Sequence, residues 1–557
     1  MFIRVKPSGP RKYLQIVESK WDKGKVRQKV IATLGRLDAL IENGKLDGLL
    51  RSGIKFSEKL AVIDSYEKGE LASASDLTIG LPMVFERLWK DLAIPKVIEG
   101  LLHARKYQFS VERAVFLTVL HRLSMSGSDR AAEKWREGYK IEGTEGLELH
   151  HLYRAMAWLG ESLCSEEQEG ATPFAPRCVK DLIEESVFDL RRDLFEDLSL
   201  IFFDTTSIYF EGEGGEDIGA YGHSKDHRPD LKQMVVGIIL DGTGRPVCSE
   251  MWPGNTTDVK TLLPVIERLR KRFAIGTVCI VADRGIISRE AVRELEATRG
   301  VQYILGVRMR RQKEVSEEVL SRAGRYEEVH TKSKDSKDPS PLRVKEVMHN
   351  GRRYIVCLNE DQAKKDAADR EAILAALQDR LKQGDKSLVG NKGYRKYLKG
   401  GGSGFQIDEA KAKEETRYDG KWVLTTNTQM SARETALQYK QLWTVEQVFR
   451  TMKTILTTRP IYHKCDETIR GHVFCSFLSL LLMKELQERM EGRGWKVEWA
   501  DMIRNLEDIK EIRIESGNKT AFLRSELKGE AGKAFQAAGV AVPPTVRINN
   551  NNSDDTL

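Results

Sequence analysis

Leu198–Phe210 reads LSLIFFDTTSIYF, an apolar, β-branched and aromatic run with a single carboxylate, Asp204, in its middle. Such a run predicts a strand. Further along, Met234–Leu240 (MVVGIIL) predicts a second strand, and the turn Asp241-Gly242-Thr243-Gly244 leads into a third at Pro246–Met251. Asp258–Phe273 then fits a helix, Val278–Ala282 a buried strand, Ser288–Thr298 a helix and Tyr303–Val307 a fifth strand. Polar, irregular sequence follows Arg310, including KSKDSKDPSP, a helical stretch at Ala367–Lys382 and the turn-like GGGSG at Gly400–Gly404. Trp422–Thr425 reads as another strand.

Three strands in hairpin succession, then helix, strand, helix, strand, is the element order of the ribonuclease H fold, although many α/β domains share parts of it. In that arrangement the first and fourth strands are neighbours. Asp204 lies in the first and Asp283 ends the fourth (CIVAD), so their carboxylates would converge. A carboxylate in an apolar run is costly unless compensated, and a metal ion is one compensation. A long helix is predicted from Ala432 to Leu456. Tyr439, Glu446 and Lys453 recur every seven residues on one face of it, with Arg450 one turn beyond Glu446. Leu442, Trp443, Val445, Val448, Phe449 and Met452 make this helix read as largely buried, so Glu446 reads as a buried carboxylate flanked by cations. Ordinary surface Glu–Arg and Glu–Lys pairs are the competing reading.

The 557 residues exceed one compact core, so several domains are expected. The formal charge of +7 permits an anionic partner, and the basic residues between Arg4 and Lys29 outnumber Glu18 and Asp22. Strand-like pieces at Lys12–Glu18 and Lys25–Leu34 are joined by a turn at Lys23-Gly24. Val111–Leu123 predicts a helix and Ser128 or Asp129 caps the next, a pair that resembles a helix-turn-helix but is more often simple packing. Seven cysteines show no CxxC pair, which fits a reducing cytoplasm. The N-terminus has no apolar signal core, and the apolar Val473–Met483 is too short to span a bilayer, so no membrane role is expected. GGGSG lacks the Gly-Lys-Ser/Thr ending of a phosphate-binding loop, and His223 and His227 lack partner ligands for zinc. The tail NNNNSDDTL is low in complexity.

The Tyr439–Glu446–Lys453 spacing resembles the tyrosine–arginine–glutamate–lysine signature of DDE transposases in the insertion sequence four superfamily. DTT at Asp204 and ADRG at Asp283 resemble that family's acidic motifs. RPDLKQ (Arg228–Gln233), PGNTTD (Pro253–Asp258) and RPIYH (Arg459–His463) resemble segments of its sixteen-thirty-four group. Leu442 departs from the signature, which has arginine there. The resemblance implies an α/β fold: a ribonuclease H-like catalytic domain interrupted by a β-rich insertion, with N-terminal and helical accessory domains. Residues 1–75 would form a basic, strand-rich region and 76–196 a helical candidate DNA-binding domain. The core would be 197–311 and 421–490, the insertion 312–420 and the C-terminal region 491–557. Asp204, Asp283 and Glu446 would hold two Mg2+ ions, with Mn2+ tolerated. Tyr439, Arg450, Lys453, Arg284 and Lys396 would contact DNA, although the NKGYRKYLK loop bearing Lys396 reads equally as plain surface. The implied partner is double-stranded DNA, held by a synaptic homodimer in a bacterial cytoplasm, beside the nucleoid. The implied activity is cleavage at insertion-sequence ends followed by strand transfer, through a hairpin or directly into target. The competing readings are a nuclease or resolvase that never joins, and a DNA-binding derivative without catalysis.

Overall fold

The computed structural model describes residues 1–22, 25–54, 56–57, 68, 73–169, 171–172, 175–192, 198–257, 261–284, 288–329, 342–382, 396–401, 404–516 and 519–550. The expected turn at Lys23-Gly24, the run KSKDSKDPSP and residues 391–395 of NKGYRKYLK lie outside them. The chain forms two compact units, one of Met1–Met83, Glu137–Lys140 and Val497–Leu557, the other of Val84–Arg136 and Ile141–Lys496.

In the first unit, β1 (Phe2–Ser8), β2 (Arg11–Asp22) and β3 (Lys25–Arg36) make an antiparallel sheet in that order. Lys6, Arg11, Lys12, Lys20, Arg27 and Lys29 stand exposed on it. Helices α1 (Leu37–Glu42) and α2 (Lys45–Ile54) follow, then the strand β4 (Ser73–Thr78).

Helix α3 (Gly80–Asp91) carries the chain into the second unit, which continues with α4 (Ile94–Leu102), α5 (Val111–Ser124), α6 (Asp129–Trp135), α7 (Leu149–Gly160) and α8 (Val179–Leu190). Ser128 caps α6 as expected, its hydroxyl accepting from the Ala131 amide at 3.2 Å. Its main sheet begins with β5 (Leu200–Tyr209), β6 (Gln233–Leu240) and β7 (Pro246–Pro253). After α9 (Leu262–Arg272) come β8 (Val278–Ala282), α10 (Arg289–Ala297) and β9 (Val301–Gly306), the element order read from the sequence. The later strands are β10 (Glu327–Val329), β11 (Leu342–His349), β12 (Arg352–Asn359) and, after the 23-residue helix α11 (Glu360–Lys382), β13 (Leu398–Gly401) and β14 (Gly404–Ile407). Helix α12 (Glu409–Glu415) precedes β15 (Lys421–Thr426). β13 and β14 pair antiparallel, and residues 402–403 of GGGSG lie outside the described ones.

The sheet runs β10-β11-β12-β15-β9-β8-β5-β6-β7. β5 pairs antiparallel with β6 and β6 with β7, whereas β8 runs parallel to both β5 and β9. Every residue of β6 is buried, which explains its unbroken apolar run. Of the strands between the second aspartate and the glutamate, β10, β11, β12 and β15 extend this sheet through the β15–β9 and β12–β15 pairings, while β13 and β14 pair apart from it.

The helix expected from Ala432 to Leu456 is instead two, α13 (Ala432–Lys440) and α14 (Trp443–Thr454). At the break the Leu442 amide bonds the Tyr439 carbonyl at 3.0 Å and Val445 bonds Leu442 at 3.0 Å, a tighter i to i−3 pattern. Helical periodicity alone could not show it. Tightening there buries Leu442 while Trp443 stays half exposed. Helix α15 (Asp466–Glu491) is buried through most of its length and packs on α7 and α5. Gly160 and Gly471 permit that crossing, since a Cβ on either would strike backbone of the other helix. No helix of the described residues is long and apolar enough to cross a membrane.

The first unit closes with α16 (Trp499–Glu507), β16 (Lys510–Ser516), β17 (Lys519–Arg524), α17 (Ala531–Ala538) and β18 (Val546–Asn550). The sheet order there is β18-β17-β16-β4. Asn549 and Asn550, read with the low-complexity tail, pair in β18; residues 551–557 lie outside the described ones.

Candidate active site

The parallel register of β5 on β8 runs Leu200↔Cys279, Ile201↔Ile280, Phe202↔Val281. Continued two residues, that register would bring Asp204 opposite Asp283 on the same face, neighbouring strands being about 4.8 Å apart. Asp204 Oδ1 accepts from the Thr205 amide at 2.7 Å. The Tyr439 hydroxyl donates to Asp283 Oδ1 at 2.8 Å. Burial, with the Asp283 charge, pushes the Tyr439 phenol well up, so it keeps its proton and donates. Only glycine fits at 306, because a Cβ would collide with that hydroxyl. Asp283, Arg284, Tyr439, Leu442, Trp443 and Glu446 help line a cleft of about 400 Å³.

Glu446 is exposed on the first turn of α14, not buried as expected. The break before Trp443 causes this: it puts Glu446 at a helix N-terminus, where the backbone dipole favours a carboxylate. Helix α14 packs on β5, the strand of Asp204. Arg450 is exposed on α14 and Arg284 is exposed after β8, its carbonyl accepting from Arg308 Nε at 2.9 Å. Lys396 is elsewhere, its ammonium paired with Glu415.

Residues 196–482, more than half of the chain, match the family described as "Transposase DDE domain". The chain belongs to the DDE transposases. Residues 3–65 match "IS1634 family transposase, N-terminal domain", which places this transposase in that group. Among solved structures it is similar to "Mos1 transposase paired-end complex with left transposon end", at 12% identity over 35% of this chain and 60% of that one. The TM-score is 0.14, and the match spans less than two thirds of that relative. No curated protein matches.

DDE transposases use divalent metals. Carboxylate oxygens are the hard donors such cations prefer, and the transposase carries Asp204 in β5, Asp283 just past the adjacent β8, and Glu446 on the cleft that Asp283 also lines. The three are not drawn into one tight knot. A two-ion centre has its metals about 3.5–4 Å apart and needs its carboxylates spread around them, so the residues fit.

Among the described residues, the group of three potential metal ligands within 4.8 Å of one another is Asp129, His463 and His472. Arg122 NH2 lies 2.9 Å from His472 Nδ1, His463 Nε2 is 3.2 Å from Asp129 Oδ2, and His472 Nε2 is 3.2 Å from the Thr458 carbonyl. A guanidinium already satisfies this group, and burial drives His472 well below its ordinary value, keeping it neutral. It is a hydrogen-bond network tying α5 and α6 to the segment after α14.

Sequence reading missed a basic cluster beside Asp204. Lys453 Nζ and Arg459 NH1 each lie 2.8 Å from Asp226 Oδ1. Lys225 Nζ donates to the Thr205 carbonyl at 2.7 Å and to its hydroxyl at 3.1 Å. Burial lowers the Lys453 ammonium, against the opposing pull of Asp226. The available signals were RPDLKQ and RPIYH, read only as family-like segments, with Asp226 just before the first and Arg459 opening the second.

Proposed function

We propose that this transposase hydrolyses phosphodiesters at the ends of its insertion sequence and transfers the freed 3′ ends to target DNA, with Asp204, Asp283 and Glu446 holding two Mg2+ ions. The observation that supports this reading is the β5–β8 register, which continued two residues would bring Asp204 opposite Asp283, a residue that lines one cleft with Glu446. Divalent ions held there would supply positive charge at the attacking and leaving oxygens of an in-line phosphoryl transfer. Mn2+ is expected to substitute. Tyr439 orients Asp283 through its hydrogen bond and stays neutral while doing so. Exposed Arg284 and Arg450 supply bidentate donors for backbone phosphates, and Lys453 adds a fixed charge. Lys396 would reach DNA only by leaving Glu415.

The strand order β7-β6-β5-β8-β9, parallel only at β5–β8–β9, supports a ribonuclease H-like core in residues 197–311 and 421–490, interrupted by 312–420. In this reading residues 1–75, with their exposed basic sheet, and 76–196 bind DNA, and a homodimer pairs two ends.

The test uses a duplex bearing the inverted repeat that flanks the coding sequence. Asp204→Asn, Asp283→Asn and Glu446→Gln should each end nicking and leave binding intact. A variant that nicks at the wild-type rate removes its residue from the site. Cutting without joining to a target plasmid would favour the nuclease reading instead.

A further inference from the structure

We propose that Asp226 is a positioning residue that holds Lys453 and Arg459 together beside the Asp204 strand as a cradle for one DNA phosphate. This rests on the function proposed above. One oxygen, Oδ1, takes both cations at 2.8 Å, one from α14 and one from the segment that follows it. Two cations at that spacing repel unless an anion bridges them. The Asp226 side chain is 5% exposed, and its second oxygen, Oδ2, is buried without a hydrogen-bond partner. A carboxylate serving only as a structural anchor would have that oxygen bonded.

The loop carrying Asp226 is itself fastened to the catalytic strand. The Lys225 amide donates to Ser207 Oγ at 2.8 Å, and Ser224 Oγ accepts from the Arg228 amide at 3.1 Å. Lys225 Nζ is held on Thr205, the residue next to Asp204. Two cations therefore share one carboxylate oxygen, an excess of one positive charge. A phosphodiester oxygen engages a guanidinium and an ammonium with the same geometry as Asp226 Oδ1. The phosphate so held would lie next to the strand that presents Asp204, which fixes the register of the DNA on the carboxylates.

The experiment is a methylphosphonate scan of the flanking-repeat duplex, read by single-turnover cleavage and by end binding, with thermal unfolding confirming that each variant folds. Asp226→Ala should slow cleavage by about 10²-fold through misplacement of the two cations, with end binding unchanged. Asp226→Asn keeps an oxygen able to accept from both cations and should recover most of the rate. One neutralised phosphate should slow the wild type severely and cost Asp226→Ala and Arg459→Ala nothing further. Wild-type cleavage by Asp226→Ala overturns the proposal. So does a slow Asp226→Ala that remains as sensitive to every neutralised phosphate as the wild type, since the role is then structural. A wild type that cuts no duplex overturns the proposed function, and this inference with it.

Discussion

Where α8, α9 and β7 meet, Arg177, Lys180, Arg268 and Arg272 face Asp181, Glu184, Glu185 and Glu250, four cations against four carboxylates. Arg272 NH2 is 2.6 Å from Glu184, Arg268 NH2 is 2.7 Å from Asp181, and Lys180 Nζ is 2.7 Å from Asp181. Burial alone would raise the Asp181 carboxyl, but Lys180, Arg272 and Arg268 outweigh it and hold that group far below its ordinary range. At the cleft the charges are sorted by sign instead. Asp204, Asp283 and Glu446 are less buried, Asp283 and Glu446 lining one cleft, while Lys453 and Arg459 outnumber Asp226. A balanced cluster is complete within the fold and has no use for a ligand. In the proposed function one sorted by sign is completed from outside, the acids by cations and the bases by phosphate.

Breaking each cluster should therefore damage different things. The largest effect belongs to the cleft: Asp204→Asn or Asp283→Asn should reduce cleavage by on the order of 10³-fold or more. Thermal unfolding of the same variants should show equal or greater stability, because a repulsion between neighbouring carboxylates is removed. A lowered melting temperature would mean these acids are structural.

In the balanced cluster, Arg272→Leu leaves buried carboxylates unpaired and should cost about 3–5 kcal/mol in urea unfolding. Cleavage per folded molecule should stay normal. If stability is unchanged, the cluster is not the closed unit described here.

A buried neutral histidine sharpens the contrast. His121 packs on the Trp135 ring, and burial and the Arg122 charge push it down to about 4 from 6.5. The unfolded chain binds its proton first, so stability should be full above about pH 6.5 and fall as pH drops toward 4. His121→Gln should flatten the melting-temperature profile over that window. An unaltered slope would assign the pH dependence to other groups.

The smallest effect concerns Leu442, where the family signature has arginine. Arg450→Ala should slow cleavage about tenfold if it supplies the missing phosphate contact. Leu442→Arg in that background should restore part of the loss. Normal cleavage by Arg450→Ala would show that the site works without this contact.

Much of the catalytic sheet was legible because its signals are local. Leu200–Tyr209 and Gln233–Leu240 are apolar runs of strand length, and Ser288 and Ser431 cap the helices they precede. The two aspartates were legible as a pair, one within the first strand and one at the end of the fourth, strands that the ribonuclease H order makes neighbours. Glu446 was found through family spacing, but its exposure was misread, because seven-residue periodicity assumes an unbroken helix and the chain tightens at Leu442. Asp226 could not be found that way. Its partners Lys453 and Arg459 are far along the chain, and no local pattern marks a carboxylate that will meet them.

The amino-acid sequence by itself determined the order of strands and helices, the chain's three acidic motifs and its membership among DDE transposases. The element order follows from apolar periodicity and capping residues, which act over a few turns of chain, and the membership from the likeness of those motifs to the family's. Tertiary structure alone decided that β8 lies parallel to β5 in the register that, continued two residues, would bring Asp204 opposite Asp283. It also decided that β12 and β15 extend the same sheet, and that Lys453 and Arg459 share one oxygen of Asp226. Register and ion pairing are set by packing between distant segments, where each residue's energy depends on neighbours that its own stretch of sequence does not specify.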